Sequence, residues 1–597
     1  MDSHNQRNMM IALVLTALML FGWDAATRYL YPDANKPKPV AAASASPGTA
    51  AKPTREGGLT NPIDIAAEAR DLKTALSGGG RIPVAGPGLS GSINLTGALV
   101  DDLTTNRHTA TLNQADGAAR VFSPLGTPAQ QFAQFVWAGS GIAMPDRQTV
   151  WTAPAGAKLT TATPVTLSWT NPTGQAFTLR YAIDADYMIT ATQSVTNASA
   201  QPISVAPVAL LSRTSKTASL DSFNVHSGPI GAFSDVVKFD TDYDDIDEAA
   251  GGTVKPEGKA NWTGFTDIYW MSALIPDKTG ADSDFRALGK GIYLANLFYP
   301  QEIVAPGQTQ SRTTRLFAGA KESAVLDRYE ASGIANFGLA IDWGWFRWFE
   351  KPIFWLLNFL FDAVKNFGVA IILLTLVVRG LMFPIAQKQF ASMAAMRAIQ
   401  PKMKVLQDRY KDDKPKQQQE IMELYKAEGV NPLAGCLPIF LQIPVFFALY
   451  KVLIVSVEMR HQPFALWIKD LSAPDPLHVL NLFGLLDFNP PAFLAIGILA
   501  ILLGVTMYLQ FKLNPAPADP VQQQVFAIMP WMMMFIMAPF AAGLLLYWIT
   551  SNILTIGQQK YLYSRHPQLR AQADKDAEDA KRVRERDKGD AAKGKAG

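Results

Sequence analysis

Arg379 lies inside the run Phe367 to Pro384, whose other side chains are almost all apolar. A charge at the centre of a bilayer costs ~2.5–3.5 kcal/mol on insertion scales. Two readings fit it. Arg379 stands five residues before Pro384, only ~7–8 Å along a helix, so its guanidinium reaches an interface by snorkelling. The other reading gives it polar company. Thr375 precedes it by one helical turn on the same face. Gln442 interrupts a second apolar run, and Thr550, Ser551 and Asn552 interrupt a third. Buried polar groups need partners or water, so these side chains would line one wet cavity. The residues alone leave both readings open.

Catalytic signatures are missing. The chain has no G-x-x-x-x-G-K-[ST], no H-E-x-x-H and no G-x-S-x-G, so no catalytic residue, metal or cofactor is expected. Asp240 to Glu248 (DTDYDDIDE) imitates the start of a calcium loop. Asp245 stands where that loop needs Gly, and Gly251 where it needs the bidentate Glu, so a solvated acidic loop is expected. The two histidines of the stretch 61–335, His108 and His226, read as surface or core residues rather than an acid/base pair. With the single cysteine Cys436, neither an intramolecular disulfide nor a cysteine zinc cluster is available.

The elements that must hold Arg379 are membrane spans. Of the 597 residues, 48% are hydrophobic and only 18% charged, against about 25% charged in a typical soluble domain. An ordinary cytosolic enzyme is thereby disfavoured. The net charge of +3 gives no case for nucleic-acid binding. After a short N-terminus (1–8), a first span over 9–26 is read as a signal anchor. Arg7 holds its start in the cytoplasm, and Trp23 suits an interfacial position. A cleaved signal peptide, with Ala25 and Ala26 near the cut, competes. Residues 27–60 are a Pro- and Ala-rich linker. The aromatic stretch 341–366, with Trp343, Trp345 and Trp348, is an interfacial helix. Further spans follow at 367–384, 437–457 and 493–511. Residues 525–560 are too long for one crossing, and Pro539 and Gly543 split them into a fifth and a sixth.

Six spans return both termini to one side. Lys and Arg crowd the stretch 385–431 and the tail 561–597. They are sparse in the loop 458–492, which has only Arg460 and Lys469. The excess is therefore cytoplasmic, as the positive-inside rule requires. The loop 512–524 is cytoplasmic by the same count of spans. Within 385–431, Met393, Met396, Ile399, Met403, Leu406 and Tyr410 recur at helical steps. Ile421, Leu424 and Tyr425 continue the seam after a turn at Asp412 to Pro415, so a helical hairpin is expected. Its methionines suit an adaptable apolar surface.

Between the first two spans the period changes to two. Val165, Leu167 and Trp169 alternate with polar residues, as do Phe177, Leu179, Tyr181 and Ile183, then Tyr187, Ile189 and Ala191. Asn171-Pro172-Thr173-Gly174 reads as a hairpin turn. One apolar face per strand predicts two sheets packed face to face, in a large β-domain over 61–335 outside the cytoplasm.

These residues resemble the YidC/Oxa family of membrane protein insertases. The resembling stretches are LTLVVRGLMFP (374–384), YKAEGVNPLAGCLPIFLQIPVFFALY (425–450), PFALWIKDLSAPDP (463–476), DPVQQQVFAIMP (519–530) and LLLYWITSN (544–552). NWTGFTDIYWMSALIP (261–276) resembles the periplasmic domain of the Gram-negative branch. The resemblance implies a polytopic α-helical membrane protein of six transmembrane helices, with a periplasmic β-supersandwich and a cytoplasmic helical hairpin. Arg379 matches the family's groove arginine, with Thr375 near it and Gln442 in the same hydrophilic groove. Ile443, Phe446, Ile536 and Met537 match the apolar slide for an incoming helix. Tyr547 and Trp548 match an aromatic pair, with Trp548 in place of a second tyrosine. The implied partners are nascent membrane proteins, the Sec translocon and its accessory subunits, the ribosome, the signal recognition particle pathway and the phospholipid bilayer. Two other classes compete: a small-solute transporter, which would need internal inverted repeats, and a membrane-anchored carbohydrate-binding or sugar-processing protein.

Overall fold

The structure is a computed structural model, which describes residues 57–565 except 79, 220–224, 278–279, 345, 388–398, 400–401, 404, 412, 430–436, 484, 487–494 and 514–519. The expected N-terminus and first span, the linker up to residue 56, Met393, Met396 and the tail from 566 lie outside the described residues.

The first half does not open on a strand. Asn61 accepts a hydrogen bond from Ile63 N at 2.9 Å and Pro62 occupies the first turn, which starts helix α1, Pro62–Ser77. Two antiparallel sheets follow, of ten and eight strands among the described residues. In the first, Ile203–Thr214 runs between Gln131–Gly139 and Ile292–Phe298. In the second, Thr309–Ala320 runs between Trp270–Ile275 and Met188–Asn197. The period-two pattern explains the sandwich. Leu167, Phe177, Leu179, Tyr181, Ile189 and Ala191 point inward and are buried with Trp262, Phe265 and Phe285. The polar positions turn outward, where hydroxyls pair across strands, as Ser194 with Ser311 and Thr196 with Thr309, each at 2.8 Å. The turn at 171–174 forms as expected. Asn171 Oδ1 accepts from Thr173 N and Gln175 N, and Gly174 takes φ +89°.

The acidic run departs from expectation. Tyr243–Glu248 is a helical turn, α2. Asp242 and Asp245 exchange reciprocal side-chain to backbone bonds of 2.9 Å. That capping box, with Ile246 buried, makes the run a helical turn where a loop was expected, while Asp244, Asp245 and Glu248 stay exposed to solvent.

The second half is helical: α3 Ser323–Ala331, α4 Arg347–Val364, α5 Phe367–Leu381, α6 Lys414–Ala427, α7 Leu437–Val455, α8 Ile498–Leu513, α9 Pro520–Met537 and α10 Ala542–Arg565. Helix α4 is amphipathic. It buries Ile353, Phe354 and Leu357 and exposes Trp348, Trp355 and Phe359. Asn366 separates α4 from α5, accepting from Val369 N at 3.0 Å and donating to Phe464 O at 2.9 Å. Among the described residues, no helix is long and apolar enough to cross a membrane. The 15 residues of α5 and 16 of α8 extend only ~22–24 Å, against ~30 Å of hydrocarbon.

The two halves are joined by specific bonds. Past the end of α7, Glu458 Oε1 accepts from Ser323 N at 2.9 Å, supplying the cap that α3 lacks from its own N-cap residue, Glu322. Arg460 donates to Thr109 O at 2.8 Å and Ala110 O at 2.9 Å, with its guanidinium over the Trp270 ring at 5.5 Å. The stretch 261–276 therefore carries core residues, Trp262 and Phe265, and a docking residue, Trp270.

Candidate functional site

Helices α5, α7, α8 and α10 bring the polar residues of their apolar sequences together. Arg379 Nε donates to Ser551 Oγ at 3.1 Å, and Nη2 donates to the same oxygen. Ser551 is buried on α10. One turn earlier on that helix, Tyr547 is buried and its hydroxyl accepts from Gln442 Nε2 on α7. Beside Ser551, Asn552 donates to Thr506 Oγ1 on α8 at 3.2 Å. Side chains from four helices thus form one polar seam. Each pair is a hydrogen bond that an apolar surrounding makes expensive to leave unmade.

Thr375, expected on the face of Arg379, makes its own hydrogen bond locally. It is buried, and its hydroxyl donates to Ile371 O of its own helix at 2.7 Å. That back-bond satisfies the hydroxyl locally. Ser551 takes the partner role instead. Thr506 was not singled out in the sequence; a lone threonine in the apolar run of α8 was the available signal.

The four expected slide residues divide. Ile443 on α7 and Ile536 on α9 are 43% and 42% exposed. Phe446 is half-buried, with its ring 5.2 Å from Trp548 and stacked on Tyr450. Met537 is only 4% exposed. It ends α9 where the chain reverses into α10, so its side chain turns into the helix core rather than joining the exposed isoleucines. Tyr547 and Trp548 make separate contacts. They are neighbours on a helix and diverge, Tyr547 toward Gln442 and Trp548 toward Phe446.

The tight turn between α9 and α10 is fixed from outside. Ala542 N donates to Ala473 O at 2.8 Å and Gly543 N to Leu471 O at 2.9 Å. A Cβ on Gly543 would lie 3.0 Å from Leu453 Cδ2 and 3.1 Å from Leu471 O, so the close approach needs glycine.

In the β-domain, His108 and His226 are separately engaged. His108 Nε2 lies 3.0 Å from Glu322 Oε1, and His226 Nε2 lies 2.8 Å from Pro229 O. Among the described residues no group of His, Cys, Asp and Glu could hold a metal.

Residues 359–569 match the family described as 60Kd inner membrane protein, and residues 81–356 match the one described as YidC periplasmic domain. A Zymomonas mobilis protein named Membrane protein insertase YidC is 43% identical over 574 residues, covering 95% of this chain and 96% of its own. The protein of that name from Ruegeria sp. is 46% identical over 503 residues, 80% of this chain and 82% of its own. A crystal structure described as an active YidC insertase with the first transmembrane domain resolved covers 81% of this chain and 92% of its own, at 18% identity and a TM-score of 0.35. A galactose mutarotase-like protein from Lactobacillus casei covers 40% of this chain and all of its own, at 10% identity and a TM-score of 0.29. The relatives in sequence carry the assignment.

Proposed function

The chain belongs to the YidC family of membrane protein insertases, inner-membrane proteins with a periplasmic domain, and from that premise we propose that it inserts client helices along the polar seam around Arg379. The observation that carries this reading is the bond from Arg379, in the last turn of the otherwise apolar α5, to buried Ser551 on α10. The clients are nascent membrane proteins, received alone or with the Sec translocon, with ribosome and signal recognition particle upstream. No catalytic step is involved, and the protein also assists client folding as a chaperone.

The energetics need no nucleotide. A client helix of about twenty Leu-like residues gains ~6–12 kcal/mol on entering lipid. The barrier is the polar flank that must cross. Spans as short as α5 and α8 draw the bilayer thin, and the seam admits water part of the way. Arg379 holds an acidic flank in passing. The membrane potential then draws negative charge outward, at ~2.3 kcal/mol per charge per 100 mV. Ile443, Ile536 and Phe446 offer the client's apolar face a surface beside the seam.

The proposed topology has six spans with both termini cytoplasmic: 9–26, α5, α7, α8, α9 and α10. Site-specific crosslinking tests the path. With photoreactive residues at Ile443 and Ile536, ribosome-stalled nascent membrane proteins should crosslink, while the same probe at buried Val452 should not. Equal yields at all three positions would remove the path.

A further inference from the structure

The loop between α7 and α8 carries an apolar tip that neither the seam nor the slide uses. Leu480, Leu482, Phe483, Leu485 and Leu486 are all exposed, Leu485 by 84%. From Leu477 to Leu486 there is no Asp, Glu, Lys or Arg, and the one amide, Asn481, is buried. Water is a poor environment for five large apolar side chains in seven positions. The backbone holds them outward at a cost: Leu482 and Phe483 take φ of 49° and 60°, the left-handed region that bulky residues avoid.

The base of the tip is rigidly held. Pro474 bridges to Ala541 in the α9–α10 turn, and His478 bridges to Gly497. Val479 N donates to Ile496 O at 3.1 Å. Asp475 accepts from Leu499 N at 2.8 Å, Leu477 N at 3.0 Å and Trp467 Nε1 at 3.0 Å, tying the loop to the first turn of α8. The tip is thus fixed at the level where α8 begins and the α9–α10 hairpin turns. Exposed Leu502, Val505 and Leu509 continue its apolar character along α8. Arg379 lies toward the other end of the bundle, since α5 starts at Asn366 against Phe464 of this same loop and Arg379 follows thirteen residues later, ~20 Å along the helix.

We propose that this tip is a lipid-seated wedge, embedded among the outer-leaflet acyl chains beside α8. It rests on the reading that α7 and α8 span the bilayer. The charge-free surface, its continuity with the exposed face of α8 and its distance from Arg379 favour lipid over a client's polar flank. The wedge fills the outer leaflet where short spans leave it thin, and it steadies the loop that braces the α9–α10 turn.

The test uses the full chain with Cys436→Ser, in phosphatidylcholine/phosphatidylglycerol vesicles. An environment-sensitive fluorophore is attached at Leu485→Cys or, independently, at Leu482→Cys. Lipids spin-labelled at a shallow acyl position should quench it, and iodide should quench it at least about twofold less than the same probe at exposed Leu288→Cys of the β-domain. A probe at Leu502→Cys on α8 should be quenched by lipid as well. If Leu502 is not quenched, the spanning reading itself fails. If Leu502 is quenched while iodide reaches Leu485 and Leu482 as freely as Leu288, the wedge alone is overturned. Protection that appears only with a stalled nascent chain, or that vanishes in nanodiscs holding a single copy, also overturns it in favour of a client or a second copy.

Discussion

Arg379 gives two of its five N–H groups to one serine oxygen, and among the described residues the others have no protein acceptor. That residual donor capacity suits water or a passing carboxylate. Arg379→Lys keeps the charge and loses the planar fork, so it should retain most insertion. Arg379→Ala removes the charge, and Arg379→Glu reverses it. For clients with one to three leading acidic residues, Glu should therefore be worse than Ala, and clients without leading charge should be much less affected by either. Potential-dependent insertion of such a client series decides it; equal loss for every client would leave Arg379 a structural role only. A second residue-scale case lies where the two halves meet. Glu350 on α4 is 4% exposed, and its Oε2 has no partner among the described residues. Lys451 of α7 and Asp342 face it, themselves 3.4 Å apart. Burial pushes the Glu350 carboxyl up to about 7, with Asp342 adding to burial and Lys451 opposing it. A carboxyl raised in the folded state gives stability that is complete below its unfolded value of 4.5 and is lost as pH rises through 7. Glu350→Gln should therefore match the parent at pH 4.5 and exceed it by roughly 1–3 kcal/mol at pH 8, read from thermal unfolding in detergent at the two pH values. An unchanged difference across that window would remove Glu350 as the titrating group. Ser551 as the partner of Arg379 was not legible, because the pair is 172 residues apart and only tertiary packing selects it among three adjacent polar residues.

At the scale of elements, the loop after α7 works as a docking strap, with Glu458 capping α3 and Arg460 reaching two strand-end carbonyls. Arg460→Ala leaves those two half-buried carbonyls without their charged donor and removes the contact over Trp270. A bond to a charged group is worth ~1.5–3 kcal/mol, so the variant should lose ~2–4 kcal/mol of stability at the junction. Arg460→Lys should recover part of it, since an ammonium reaches one carbonyl but lacks the fork. Limited proteolysis between 321 and 344 reads this directly: cleavage should rise strongly for Ala and modestly for Lys. Cleavage that stays at the parent rate in both variants would show that the strap does not hold the halves together. The strap was invisible in sequence, where Arg460 appeared only as a sparse charge in a basic-poor loop; its acceptors are backbone atoms some 350 residues earlier. The sheets were legible because alternation is local: each run from Val165 to Ala191 declares its own inward face. The helical turn in the acidic run was missed because the run was read against calcium-loop spacing and not for its capping spacing, Asp242 to Asp245. Met537 misled for another reason, since a position beside a tight turn is assigned its face by the turn and not by the helix period.

For the whole molecule, the bonds at the helix ends bear on topology. Helix α5 is capped by Asn366, which bonds Phe464, α7 ends beside Ser456 and the strap, the first turn of α8 is bonded to Asp475 through Leu499 N, and the α9–α10 turn is bonded to Leu471 and Ala473. All these ends gather on the side of the β-domain. The opposite ends lead to the basic stretch 385–431, to the loop after α8 and to the basic tail. That division agrees with the positive-inside rule, because the described helix ends that precede the Lys- and Arg-rich stretches of the sequence are not the ones bonded near the β-domain. On the proposed topology, six crossings would return the tail to the cytoplasm with the first span kept, and five would leave it there with that span cleaved, because the β-domain would precede α5 on the outer side. The tail's side therefore does not depend on whether the first segment is removed. A reporter enzyme active only outside the cytoplasm should work when fused after residue 330 and stay silent when fused at residue 420 or 590. Activity at 590 would require an even number of crossings after the β-domain, and would overturn the six-span reading. Silence at 330 would instead place the β-domain inside and reverse every helix. The two failures are separable, and each is read from cells expressing one fusion.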